Sequence, residues 1–318
     1  MRVVLIGVVN SAKAAFDALV ASGADIAMVY TADVQRMVAK SSMERSYFVD
    51  FVPVAAEYGI PVRHVVNVNE HAAEVQQLCP DVIYVVGWPQ MIRQEILSIA
   101  PCVGMHPAPL PKRRGGAPLN WQIIDGETSS AVTLLRLGTG VDDGDILAQV
   151  PFEIAPTDYI DDVMRKVCDI TYAAIRDTYA ALANGRAVWV PQDHSKATVM
   201  RRRRPEDGLI NWNDSSQRIV NLVRAVSHPF PGAFTYCDGK LVKVWRAHVP
   251  HGYRPRLNAA PGEVLALIDN QLIVSARDYC VAISELEVGP GNVFGPERMR
   301  DAYALLAGKV LTSAGMLG

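Results

Sequence analysis

Met1-Arg-Val-Val-Leu-Ile-Gly-Val-Val-Asn-Ser-Ala-Lys-Ala-Ala-Phe-Asp-Ala-Leu-Val-Ala-Ser-Gly-Ala-Asp-Ile-Ala-Met-Val-Tyr30 reads as strand, helix and strand in close succession. Val3–Gly7 is an unbroken apolar run, the pattern of a parallel strand buried on both faces. Ser11 is placed to cap a helix over Ala12–Ala21, which Gly23 stops. Ile26–Tyr30 then returns as a second apolar run. A strand followed by a helix and a parallel strand is a right-handed βαβ unit, the building block of a doubly wound sheet.

Reading outward, the alternation continues. Asp33–Tyr47 is polar without clear periodicity and is expected to be a loop over one sheet edge. A short helix near Pro53–Tyr58 ends at Gly59, Pro61–Val66 is a strand, and a helix around Glu70–Leu78 precedes the strand Asp81–Val86. Further on, Pro118–Ile124 looks helical, Ala131–Leu137 and Ile146–Ile154 are strands, and Tyr159–Ala183 is a long helix stopped by Asn184-Gly185. The fold class expected is α/β, a doubly wound and mostly parallel sheet. Arg201–Gly208 is charged and proline-bearing, and beyond it the pattern changes to one helix, Ser215–Val226, followed by short strands within Ala233–Ala247 and Gly262–Val288. These features predict a catalytic domain over 1–200 and a smaller, mostly β domain over 205–318.

Bulk properties narrow the function classes. The chain has 318 residues, more than one core of ~250–300 residues usually serves. Its 31 basic and 33 acidic residues leave a net charge of −2, so no general attraction to nucleic acid or to an anionic membrane follows. No apolar run approaches the ~18 residues that a membrane span needs. The chain opens directly on a strand, without the pattern of a cleavable signal. Cysteines 79, 102, 168, 237 and 280 form no C-x-x-C pair, which reads as reduced thiols in a cytoplasmic protein.

The chemistry-bearing feature is His106, followed by prolines at 107, 109 and 111, with Val141-Asp-Asp-Gly-Asp-Ile146 at long range. Prolines fix φ and remove donors, so the loop is pre-set. A carboxylate on the second ring nitrogen of a histidine fixes its tautomer and raises its basicity. Alone, His106 is more often an ordinary hydrogen-bonded loop residue, and the acidic run an ordinary turn. A calcium loop is excluded by the spacing, since the D-x-[DN]-x-[DN]-G pattern and its distal glutamate are missing. The opening strand lacks G-x-G-x-x-G, so dinucleotide binding has little support. Arg201–Arg204 is a solvated linker or a phosphate clamp, with the linker favoured. The remaining histidines show no metal-ligand spacing, and no metal is expected.

Together, His106-x-x-x-Leu110-Pro111-x-x-Arg114-Gly115-Gly116-Ala117-Pro118, Trp121, Gly126-Glu127, Val132-Thr133 and Asp142-x-Gly144-x-Ile146 resemble the 10-formyltetrahydrofolate-dependent formyltransferases. That family includes glycinamide ribonucleotide transformylase, methionyl-tRNA formyltransferase and nucleotide-sugar N-formyltransferases. Arg204-Pro-Glu-Asp-Gly208 through Trp212 and Val223–Tyr236 extend the similarity over nearly the whole chain. The resemblance implies that His106 is the general acid/base, that Asp142 holds its imidazole, and that 10-formyltetrahydrofolate is the co-substrate. It also implies pteridine contacts from Gln90, Met91 and Ile92 and from Gly138, Thr139, Gly140 and Val141. Gly116 would lie at a folate contact, and Arg114, Arg204 and Pro205 would contact the acceptor.

Two positions depart from the family pattern. Gly104 stands where the family has an asparagine that stabilises the oxyanion, and loss of one such donor typically costs ~10²–10³ in rate. The glycine is expected to leave space and to let a backbone N–H come near the reacting carbon. Gly116 stands where the bacterial formyltransferase domain acting on UDP-4-amino-4-deoxy-L-arabinose, which the second half of the chain most resembles, has arginine. The acceptor expected is a nucleotide-linked amino sugar. A methionyl-tRNA formyltransferase should carry a basic second domain, whereas Pro205 to Gly318 holds 11 basic and 11 acidic residues, 11 − 11 = 0. A folate-binding protein with weakened or hydrolytic activity, motivated by Gly104, is the rival of another class. The oligomeric state is open, a homodimer among the options.

Overall fold

The computed structural model describes residues 1–41, 43–253 and 258–314. The end of the expected second domain, 315–318, lies outside the described residues. Two compact units form. The first comprises Met1–Pro118, Ser129–Ala155 and Asp162–Arg202, and the second Leu119–Thr128, Pro156–Asp161 and Arg203–Gly318. The single cut that the sequence predicts, between 200 and 205, is thus crossed by two short segments, 119–128 and 156–161.

The first unit runs β1 (Arg2–Gly7), α1 (Asn10–Ala21), β2 (Asp25–Thr31), α2 (Val34–Lys40), α3 (Phe51–Ala56), β3 (Val62–His64), α4 (Ala72–Gln77), β4 (Val82–Val86), α5 (Gln94–Leu97), β5 (Cys102–His106) and β6 (Arg114–Gly115). Next comes α6 (Pro118–Ile124), which from Leu119 belongs to the second unit, and then β7 (Ser129–Arg136), β8 (Ile146–Glu153), α7 (Ile160–Ala183), which joins the first unit from Asp162, and β9 (Val199–Met200). Seven strands form one sheet in the order β3-β2-β1-β4-β5-β7-β8. The first five are parallel, and β7 and β8 continue antiparallel. A mostly parallel, doubly wound sheet is therefore what the chain builds.

The apolar run of β1 explains why that strand lies inside. Val3 and Leu5 face a core with Phe16, Leu19, Phe51 and Ile175, whereas Val4 and Ile6 face one with Tyr30, Val75 and Ile96. Successive strand residues alternate faces, so both faces must be apolar when helices cover both. Burying each such large side chain contributes roughly 1.5–3 kcal/mol.

Several local expectations shift. Helix α1 begins at Asn10 with Val9 at the cap position, so Ser11 lies within the first turn and does not cap it. The segment expected to be a loop, Asp33–Tyr47, contains α2, capped by Asp33, whose carboxylate accepts from the Arg36 N–H at 2.7 Å. Only Val34 of that helix is fully buried, but Met37 and Val38 pack beside it, so a short i, i+3, i+4 apolar stripe is present among the polar residues. The helix expected over Glu70–Leu78 is a 3₁₀ turn, Val68–His71, followed by α4.

The second unit is built on α8 (Ser216–Val226), β10 (Ala233–Cys237), β11 (Lys240–His248), β12 (Val264–Ile268), β13 (Gln271–Ser275), β14 (Cys280–Val288), β15 (Val293–Phe294) and α9 (Met299–Leu306). Its sheet runs β10-β11-β14-β13-β12, with β15 on β14, and every pairing is antiparallel. Ser215 caps α8, whose Ile219, Val220 and Val223 are buried. The smaller, mostly β second domain expected from the short strands is present, and its sheet is antiparallel.

Candidate active site

His106 ends β5, at the carboxyl edge of the parallel strands, where open α/β sheets place their ligands. It is 5 % exposed. Its Nε2 lies 2.8 Å from the carbonyl oxygen of Arg113, which can only accept, so Nε2 carries the proton and donates. Its Nδ1 faces Asp142 Oδ2 at 3.4 Å. That is ion-pair distance, beyond the 2.7–3.2 Å usual for an N–H···O bond. The same Oδ2 accepts the Gly115 N–H at 2.8 Å. Histidine loop and acidic turn, 36 residues apart in sequence (142 − 106), are thus adjacent in space.

Strand β7 fixes the histidine loop from beneath. Thr133, paired with His106 in the sheet, donates its hydroxyl to the Ala108 carbonyl at 2.7 Å. Gln149 Nε2 donates to the Leu110 carbonyl at 2.9 Å and to Thr133 Oγ1 at 3.0 Å. Arg113 and Asp142 both sit at positive φ, 64° and 49°, uncommon for residues other than glycine, though aspartate tolerates it better than arginine.

Beside His106 opens a cavity of about 510 Å³, within the ~300–1,000 Å³ usual for small-molecule sites. Gln90, Met91 and Ile92 line it from the loop after β4, and Gly138, Gly140, Val141 and Asp142 from the loop after β7. Gly104 and Gly116 also line it, whereas Thr139 is exposed and outside the lining. Trp88 Nε1 and Gln90 Oε1 are buried polar atoms of lining residues without a hydrogen-bond partner among the described residues. Gln90 Nε2 is fixed by the Val66 carbonyl at 2.6 Å.

Three expected acceptor contacts lie elsewhere. Arg114 is 7 % exposed and outside the cavity lining, with its guanidinium on Gln192 Oε1 at 2.7 Å and His194 Nδ1 at 3.1 Å. Arg204 and Pro205 are exposed residues of the second unit, where the Arg204 N–H donates to Asp207 Oδ2 at 2.6 Å. The sequence reading missed Val199, Met200 and Arg202, which line the cavity. Arg202 belongs to the run read as a solvated linker, yet its Nη2 donates to the Pro89 carbonyl at 2.8 Å. A parallel pairing between β6 and β9 brings this segment back, a contact with no local signal in sequence.

That return also accounts for Gly116. A Cβ there would lie 2.7 Å from Arg202 Cα and 2.9 Å from Arg202 N, so backbone fills the place of any side chain. At Gly104 the space expected from sequence is closed: a Cβ would lie 2.4 Å from Leu137 Cδ2 and 3.4 Å from Leu135 Cδ2. The wall beside His106 is apolar where the family carries its carboxamide.

Comparison with known proteins agrees with this architecture. Residues 1–178 match the family described as formyl transferase, and residues 202–299 match the formyl transferase C-terminal domain. The chain belongs to the formyl transferase family. Among solved structures, HypX from Aquifex aeolicus in complex with tetrahydrofolic acid is similar at a TM-score of 0.66 and 20 % identity, over 96 % of this chain and 48 % of that one. This chain therefore spans about half the length of HypX. An N-formyltransferase from Helicobacter canadensis, in complex with folinic acid and dTDP-3-aminofucose, matches at a TM-score of 0.63 and 16 % identity over 88 % and 98 % of the two chains. Methionyl-tRNA formyltransferase from Clostridium thermocellum matches at 0.58 and 21 % over 80 % and 95 %. These identities speak for the fold.

Proposed function

We propose that this chain transfers the formyl group of 10-formyltetrahydrofolate to the amine of a nucleotide-linked amino sugar. The observation that carries the reading is the Asp142–His106 pair at the edge of the cavity. The cavity suits a folate: its walls are largely apolar and backbone. The unpartnered Trp88 N–H and Gln90 carbonyl offer a donor and an acceptor to a pterin edge. In the reaction the amine lone pair attacks the formyl carbon, the carbonyl becomes an oxyanion, and the bond from carbon to N10 breaks. The amine loses a proton and N10 gains one, leaving formamide and tetrahydrofolate. His106 relays that proton, and its Nε2 must exchange the Arg113 carbonyl for substrate to do so. Asp142 stabilises the imidazolium that forms.

The neutral second domain supports a sugar acceptor over tRNA. Incubation with labelled donor and a panel of nucleotide-linked amino sugars tests the reading, and formylated sugar is the result expected. A second reading, a folate-binding protein with weakened activity, is favoured by one observation, the apolar Leu137 beside Gly104. Tight binding of 10-formyltetrahydrofolate without turnover would identify it.

A further inference from the structure

Gln192 lies 50 residues from Asp142 in sequence, is 6 % exposed and does not line the cavity. Its amide is fully engaged. Nε2 donates to the backbone carbonyls of Asp142 at 2.9 Å and Gly144 at 2.7 Å. Oε1 accepts from Arg114 Nη2 at 2.7 Å and Nε at 3.2 Å. Two carbonyls demand the NH₂ and a guanidinium demands the oxygen, so the orientation of the amide is fixed by its partners. Arg114 is followed by Gly115, whose N–H holds Asp142 Oδ2. A closed circuit results: Gln192 grips the Asp142 backbone directly and, through Arg114 and Gly115, the Asp142 carboxylate.

The circuit meets a need that the backbone creates. Asp142 sits at φ 49°, a left-handed conformation that aspartate tolerates but that is a minority state of a free chain. The Nδ1–Oδ2 separation of 3.4 Å is already long, so a small relaxation of the turn would break the pair. We propose that Gln192 is a positioning residue that holds the Asp142 turn against His106. The proposal rests on the formyl-transfer reading of that pair.

Two variants of the full chain test it, with two readouts. Gln192→Ala removes all four bonds. Gln192→Glu keeps size and the Arg114 contact but sets an oxygen against both carbonyls. Each is expected to lower kcat about 10²-fold, the scale of an ångström of misplacement, while KM for 10-formyltetrahydrofolate stays within a few-fold. Nitrogen NMR of the His106 imidazole supplies a readout independent of turnover. The Nδ1 chemical shift in either variant should move from the wild-type position toward that of Asp142→Asn as the Asp142 contact loosens. A kcat per folded molecule and an Nδ1 shift both equal to wild type, with only Tm lowered, would overturn the proposal. Should Gln192→Ala fail to fold, Gln192→Glu carries the comparison. If the wild type formylates no acceptor, the function proposed above fails, and the Nδ1 shift alone decides the role of Gln192.

Discussion

Leu137 stands in the volume that a side chain at residue 104 would take, with its Cδ2 2.4 Å and its Cγ 2.9 Å from the place of a Cβ on Gly104. Glycine there accommodates a neighbour; it does not leave a vacancy. Gly104→Asn should therefore slow transfer by pushing the Leu137 side chain into the cavity it lines, with a stability cost below the ~1–3 kcal/mol of overpacking a closed core. Trimming the neighbour in the double variant Gly104→Asn/Leu137→Ala should recover part of both. Steady-state rates and thermal melts of the two proteins check this, and a faster single variant would contradict it.

His106→Ala and Asp142→Asn should each reduce transfer by at least ~10²-fold, the lower range for a positioned acid/base. Circular dichroism should show both folded, since each side chain sits at the end of a strand or in a turn and not within the apolar core. Turnover within a few-fold of wild type in either would remove the pair from the mechanism.

Charged initiator methionyl-tRNA should accept no formyl group. Efficient labelling that falls steeply between ~50 and ~200 mM salt, as phosphate contacts require, would favour tRNA as acceptor.

Burial pushes the Cys102 thiol up to about 12, and Cys168 and Cys280 up to about 11. Desolvation penalises the thiolate, so at pH 8 these groups stay protonated and unreactive. Iodoacetamide followed by peptide mass mapping should label the exposed Cys79 first and leave Cys102 unlabelled in the folded protein. Because the folded state binds these protons more tightly than an unfolded chain with thiols near ~8.5, stability should fall as pH rises through the window from ~8.5 to about 12. Labelling of Cys102 at the rate of Cys79 would contradict its burial.

Local patterns announced the elements whose burial is periodic. Strands β1 and β4 show as continuous apolar runs because both faces are covered. Helix α7 shows through its spacing and its Asn184-Gly185 stop. Helix α2 is missed because its stripe, Val34, Met37 and Val38, spans only one turn and sits in an otherwise polar stretch. In the site, His106 and Asp142 are legible through their motif, while Gln192, Leu137 and Arg202 are not. Each works through backbone or volume at long range: Gln192 grips carbonyls, Leu137 fills space and Arg202 crosses over a glycine. None of these roles requires a distinctive residue type or a fixed spacing. Arg114 misleads for the opposite reason, since a conspicuous motif arginine spends its guanidinium on Gln192 and His194.

The pairing of β6 with β9 bears on how modules of this family can be exchanged. The stretch matching the formyl transferase family ends at residue 178, yet Val199, Met200 and Arg202 still form cavity wall, held by Arg114 N–H on the Thr198 carbonyl and Gly116 N–H on the Met200 carbonyl. A chimaera spliced at 178 would take one side of its pocket from the donor of the second module. Splicing after Arg202 would leave the whole pocket with its own parent, so acceptor preference could be traced to one module or the other.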